Sequence, residues 1–291
     1  MRRTRQPELQ TVETRGLNFA TYHWPGNGPN VLLIHATGFH SRVWDQVVAH
    51  LADFNCWAFD MRGHGQSSKP EPPYIWRNFG MDVVAISHLL NLKFAVGVGH
   101  SMGGHSVALA AAIEPDLFSS LILIDPIIMQ QKYYGMAVTK EHPVERRKNR
   151  WQSPSEIFER YHDKKPFDTW NREVLRDYCE HALVPSDTSD TLVLACPPAI
   201  EGSIYNNSTD TDGACIYEDL KKVTAAVKIL HPPISASKKV EDLIAFDLGK
   251  AFANGTDEII EGHTHFIPME SPALIAEQII TQASKNEPKR C

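Results

Sequence analysis

Apolar residues along this chain fall into short consecutive runs separated by amphipathic stretches. NVLLIHA (30–36), NCWAFD (55–60), FAVGVG (94–99) and SLILID (120–125) each run into a Gly, Asp or His. Runs apolar at successive positions, without alternation, predict strands buried on both faces, and hence a mostly parallel sheet covered by helices above and below. The segments between them, WDQVVAHLADF (44–54), GMDVVAISHLLNL (80–92) and SVALAAAI (106–113), predict those helices. The third must stop at Glu114-Pro115, because proline cannot continue a helix. Ahead of the first run, TVETRGLNFATYHW (11–24) predicts a hairpin at the sheet edge. The rhythm returns late, with strands over AAVKIL (225–230) and EIIEG (258–262). A last helix over SPALIAEQII (271–280) opens with Ser271 as N-cap and Pro272 at the first helical position.

Residues 127–224 break the pattern, being charged, aromatic and without strand rhythm. EHPVERRKNRW (141–151) and FERYHDKKPFDTW (158–170) read as amphipathic helices, and EGSIYNNSTDTDG (201–213) as an exposed loop. The expectation is an α/β core formed by 1–126 and 225–291, carrying a mostly helical cap insertion at 127–224. Tyr133, Tyr134, Trp151 and Trp170 of that insertion offer amphipathic surface for a cleft.

The candidate chemistry lies in the turn after FAVGVG, where GHSMGG (99–104) joins a strand to an alanine-rich helix. A serine between two glycines in that context is the pattern of a nucleophile elbow, G-x-S-x-G. Its backbone must be strained for the hydroxyl to stand clear, and Gly99 and Gly103 leave room where side chains would collide. Ser101 is therefore the candidate nucleophile. It needs a base, and the base needs an orienting acid, in the chain order Ser, acid, His. EGHTHFIPME, after the last strand, supplies His263 and His265, of which His265 is favoured. An H-x-H metal pair lacks a nearby third ligand, so no metal is expected. Asp125, at the end of SLILID, is the favoured acid, while the loop HPPISASKKVED offers Glu241 and Asp242 as competitors. The oxyanion hole would use the backbone N–H of Met102 and a second from HATGFH, with Thr37 first and Phe39 second. Phe39, Trp76 and His35 are the candidate substrate contacts, although His35 and His64 also suit a purely structural role bonding turn backbone and Trp76 a place in the core.

Composition narrows the remainder. A net charge of −6 argues against nucleic acid or anionic membrane as the main partner, and no apolar run reaches the length of a membrane span. Five scattered cysteines without a CxxC pair suit free thiols in a reducing compartment. The basic start MRRTRQPELQ is followed by no apolar segment, so a cytoplasmic address is expected, with no secretory leader.

IHATGF, FDMRGHGQS, GHSMGG, LILIDP and GHTHFIPMESP, in that order, resemble the α/β-hydrolase fold. More narrowly, GHSMGGHSVALAAAIEPDLFSSLILIDPII is similar to fungal hydrolases of the peroxisomal-lipase and toxin-biosynthesis kind. The resemblance implies Ser101, His265 and a carboxylate, and in relatives of that kind an acid at the position of Asp125. It departs in Ala36, which stands where a glycine is usual, and in the ending NEPKRC, which is not a peroxisomal address. The expected function is a serine hydrolase cleaving an ester, lactone or thioester of an apolar small molecule without a cofactor. The alternatives are a C–C bond hydrolase or haloperoxidase-like enzyme, or a non-catalytic small-molecule receptor on the same fold.

Overall fold

A hairpin opens the fold, seen in a computed structural model that describes residues 5–136, 141–186, 190–233, 245 and 247–286. Strands β1 (Glu8–Thr14) and β2 (Leu17–Trp24) pair antiparallel at the sheet edge. Arg15 and Gly16 make the turn, both at positive φ (51° and 71°), the twist that a two-residue hairpin requires. The chain then runs through β3 (Asn30–Ile34), α1 (Asp45–Val48), β4 (Asn55–Phe59) and α2 (Trp76–Leu89). It continues through β5 (Ala95–His100), α3 (Met102–Ile113) and β6 (Phe118–Ile124). Next come β7 (Arg150–Trp151), α4 (Pro154–Tyr161), α5 (Arg172–His181), β8 (Leu183–Pro185), β9 (Leu192–Leu194), α6 (Pro198–Asn206) and α7 (Tyr217–Leu220). The sequence closes with β10 (Ala226–His231), β11 (Gly255–Ile259), α8 (Ile267–Glu270) and α9 (Pro272–Asn286).

Eight strands form the main sheet in the order β1-β2-β4-β3-β5-β6-β10-β11, parallel from β4 to β11. The unbroken apolar runs have the expected cause. Leu32 and Ile34 of β3 pack with Phe79 and Val83 of α2 and Val107 of α3, whereas Val31 and Leu33 pack with Val47 of α1 and Ile275 and Ile279 of α9. Successive side chains of a strand point to opposite faces, so both faces must be apolar where both are covered. Among the described residues no helix is long and apolar enough to cross a membrane, and Cys56, Cys179, Cys196 and Cys215 are free thiols. Cys291 lies outside the described residues.

Four expectations need correction. The run 44–54 stays α-helical only to Val48; His50 and Leu51 then donate to Val47 and Val48, tighter i→i−3 bonds that turn the chain toward β4. In the insertion, 141–151 is no amphipathic helix. His142 and Glu145 close a capping box around a single 3₁₀ turn (Pro143–Arg146), after which β7 pairs with β9 in a three-stranded antiparallel sheet, β7-β9-β8. Of 158–170, only the first residues belong to an α-helix, α4, which Ser153 caps and Pro154 opens, and Phe167–Thr169 form a separate 3₁₀ turn. EGSIYN, expected as exposed loop, is the body of α6, with Ile204 buried and Glu201 ion-paired to Arg147 at 2.8 Å. That pair ties the 3₁₀ turn region to α6.

Candidate active site

The elbow is built as the glycines imply. Ser101 sits between β5 and α3 at φ 57°, ψ −119°, a left-handed conformation that costs a non-glycine residue ~1–3 kcal/mol. A Cβ on Gly99 would lie 2.3 Å from Gly103 O, and one on Gly103 would lie 2.3 Å from Ile34 O. Gly99 therefore makes room within the turn, while Gly103 makes room for β3. The N–H groups of Gly104 and His105 return to Ser101 O, so α3 starts directly beneath the serine with its dipole favouring negative charge there.

Neighbouring strands bring the other groups to the same end of the sheet. Ser101 N–H donates to Ile124 O at 2.9 Å, which sets the elbow beside Asp125 at the end of β6. Asp125 is itself at positive φ (39°) and is nearly buried. Its Oδ2 accepts from His265 Nδ1 at 2.5 Å, across 140 residues of sequence. Because the carboxylate fixes the proton on Nδ1, neutral His265 keeps Nε2 free as an acceptor. Burial opposes the charge on Asp125, but the imidazoles of His231 and His265 outweigh it and hold the carboxyl well below the usual carboxylate range. His263 is occupied elsewhere, its Nδ1 against Glu261 O and its Nε2 2.6 Å from Ser271 Oγ. Glu241 and Asp242, the competing acids, lie outside the described residues.

The loop after β3 is fixed by two neutral histidines. His35 Nε2 accepts from Met61 N–H at 3.0 Å and its Nδ1–H donates to Ala36 O at 2.8 Å. His64 Nε2 accepts from Gly38 N–H at 3.0 Å and its Nδ1–H donates to Arg62 O at 3.0 Å. Phe39 N–H is spent on Ala36 O and Gly38 N–H on His64, so neither competes with Thr37 N–H for an outside acceptor. Thr37 Oγ1 reaches Met102 Sδ at 3.4 Å, so the two proposed donors belong to adjoining residues.

Two expected substrate contacts are displaced by this geometry. His35 is fully buried with both ring nitrogens bonded to backbone, and Trp76 is core, its indole N–H on Ile204 O and its ring edge-on to His105. Neither has surface to offer a ligand. Phe39 packs with Trp170 (5.4 Å between centroids), Tyr178 (5.5 Å) and Phe266 (6.2 Å), an aromatic cluster joining residues of 127–224 to the histidine loop. Trp151 is buried in the core of the insertion, and Tyr134 and Tyr217 bond the backbone of Met129.

Sequence reading missed His100. It precedes the serine, and its Nε2–H donates to His265 O at 2.8 Å, tying the elbow to the loop that carries His265. Burial holds its pKa down to about 3. The residue inside G-x-S-x-G was the available signal, but its partner lies 165 residues away.

Five fully buried histidines (His35, His40, His64, His100 and His105) share this depression, with His40 at about 3 and His105 at about 4. Unfolded, each would protonate near pH ~6.5. Stability is therefore full above that value and lost as pH falls toward the folded values, by ~1.4 kcal/mol per pH unit for each proton that only the unfolded chain binds. With five such groups, acid unfolding is expected well above pH ~4. Melting curves from about pH 8 to about pH 4.5 check this; an unchanged Tm at the acid end would contradict it.

The alpha/beta hydrolase family model matches residues 31–278. A 2-(acetamidomethylene)succinate hydrolase of Mesorhizobium japonicum is 38% identical over 101 residues, covering 34% of this chain and 36% of that protein. Lipase LipV of Mycobacterium tuberculosis is 36% identical over 107 residues, 36% of this chain and 40% of its own. The chain thus spans little more than a third of the length of these curated relatives. The peroxisomal alpha-beta-hydrolase Lpx1 of Saccharomyces cerevisiae superposes with a TM-score of 0.75 at 19% identity, over 98% of this chain and 92% of that one, a likeness of fold. With the sheet order, the elbow and a family match over most of its length, this chain belongs to the alpha/beta hydrolase family.

Proposed function

We propose that the protein is a serine hydrolase that cleaves a carboxylic ester, lactone or thioester of an apolar small molecule through an acyl-enzyme on Ser101. The observation that carries the reading is the 2.5 Å Asp125–His265 contact beside a serine held at φ 57°. His265 Nε2 takes the Ser101 proton as Oγ adds to the substrate carbonyl. The N–H groups of Met102 and Thr37 stabilise the oxyanion, aided by the start of α3. Collapse of the intermediate expels the alcohol or thiol, protonated by His265, and water then releases the acid by the same steps. Asp125 stays ionised and stabilises the imidazolium. The half-buried Phe266 ring, 5.3 Å from that of His265, supports the preference for an apolar group. This chemistry needs no cofactor.

A fluorophosphonate probe tests the reading, because it reacts only with an activated serine. One adduct per chain is expected, on Ser101. A panel of p-nitrophenyl esters, lactones and acyl thioesters then ranks the substrate class, with apolar acyl esters expected to turn over fastest. Folded protein that neither labels nor hydrolyses any of the three would overturn the assignment. Labelling without hydrolysis would redirect it to the C–C hydrolase or receptor alternatives.

A further inference from the structure

His231 is the last residue of β10, with a side chain 1% exposed. Its Nε2–H donates to Asp257 Oδ1 of β11 at 2.9 Å, and its Nδ1 stands 3.8 Å from Asp125 Oδ1, at ion-pair distance. Asp257 is held in turn, accepting from Gly249 N–H at 2.9 Å and 3.1 Å. Asp125 thus divides its oxygens, Oδ2 toward His265 and Oδ1 toward His231.

We propose that His231 is a positioning residue for the reaction at Ser101: clamped by Asp257, it turns the Asp125 carboxylate toward His265 and tempers the negative field on that imidazole. A carboxylate with one ligand can rotate about its last bond, whereas a cation facing its second oxygen favours the orientation that keeps the two together. The surroundings favour a charged His231. Among the described residues, β6 contributes Asp125, with His265 beyond it, and β11 contributes Asp257 and Glu258. The nearby cations are engaged elsewhere, Lys228 of β10 with Glu258 at 2.6 Å and Lys250 of the 248–251 turn with Asp247 at 3.0 Å. Burial disfavours the charge on His231, yet Asp125 and Asp257 outweigh it and raise the imidazole above its ordinary pKa.

The consequence has a definite sign. A cation behind Asp125 disfavours protonation of His265, so neutralising it must raise the pH below which the base is lost. This rests on the reading of Ser101 as nucleophile and His265 as base, and the test separates the two. The rate of fluorophosphonate capture at Ser101 is measured against pH for the full chain, for His231→Gln and for His231→Lys. In His231→Gln the acidic limb is expected to move up by about one pH unit. His231→Lys, which keeps the charge, should move it back toward the parent. A residue with a merely structural role would lower the amount of reactive enzyme and leave the limb where it was, and that result overturns the proposal. Absence of capture in the parent overturns the reading of Ser101 instead.

Should both variants fail to fold, Asp257→Asn, at a side chain 25% exposed, is read on stability. A raised imidazole stabilises the fold fully below the unfolded value near ~6.5 and loses that contribution as pH rises through its folded value. The parent's advantage over Asp257→Asn should therefore shrink between about pH 6 and about pH 9. A flat difference would also overturn the proposal.

Discussion

Ser101→Ala is expected to lower kcat on a p-nitrophenyl ester by ~10⁶-fold, because nucleophile and base act as a unit and losing either removes the covalent route. The fold should survive. The alanine keeps the same Cβ at the same backbone geometry, and the serine's ties to its surroundings run through its N–H and C=O, to Ile124, Ile127 and the first turn of α3. His265→Ala should lose activity to a comparable extent. His263→Ala should cost far less, since its ring is already spent on Glu261 O and Ser271 Oγ. Steady-state turnover on protein with matched melting curves checks all three. Ser101→Ala within about tenfold of the parent, or His263→Ala more damaging than His265→Ala, would move the chemistry to other residues.

Asp125→Asn is expected to reduce kcat by ~10⁴-fold, more at neutral than at alkaline pH. Two effects add. The amide no longer stabilises the imidazolium, and its NH₂ can donate to Nδ1, which puts the ring proton on Nε2, where it blocks acceptance from serine. Stability should fall as well. The carboxyl of Asp125 is held below its unfolded value, so its contribution is present above pH ~3.8 and is absent from a neutral amide at every pH. Activity is therefore compared on the fraction of enzyme that captures a fluorophosphonate at Ser101. Asp242→Asn and Glu241→Gln should do little. If folded Asp125→Asn keeps near-parental kcat while either of those loses it, the acid lies after β10.

What was legible in the chain follows from the range of the forces involved. The elbow could be read because its constraint is local: a Cβ at Gly99 would collide with the backbone of its own turn, and the flanking strand and helix announce themselves by pattern. The parallel sheet could be read because burial on both faces abolishes alternation in its central strands β3, β5 and β6, and the edge hairpin because Arg15-Gly16 meets the twist of a two-residue turn. Asp125 was legible in part, as a carboxylate at a strand end, but its contact with His265 is a fact of sheet order.

Residues 127–224 were the least legible region. Strands of two or three residues carry no period, and Arg150–Trp151 become a strand only by pairing with Leu192–Val193, residues that α4, α5 and β8 separate from them. Charge misled at 141–151 and 201–206, where Arg147 and Glu201 satisfy each other and draw α6 inward. Trp76 and His35 were misjudged for the related reason that an amphipathic side chain can spend its polar atoms on backbone and leave none for a ligand. By itself the sequence determined the sheet, the elbow and the serine, because those depend on sterics and burial between near neighbours. Tertiary structure alone decided which histidine meets Asp125, that His100 and His231 stand behind the site, and how residues 127–224 fold, because each requires side chains from distant segments to meet once the strands have taken their order.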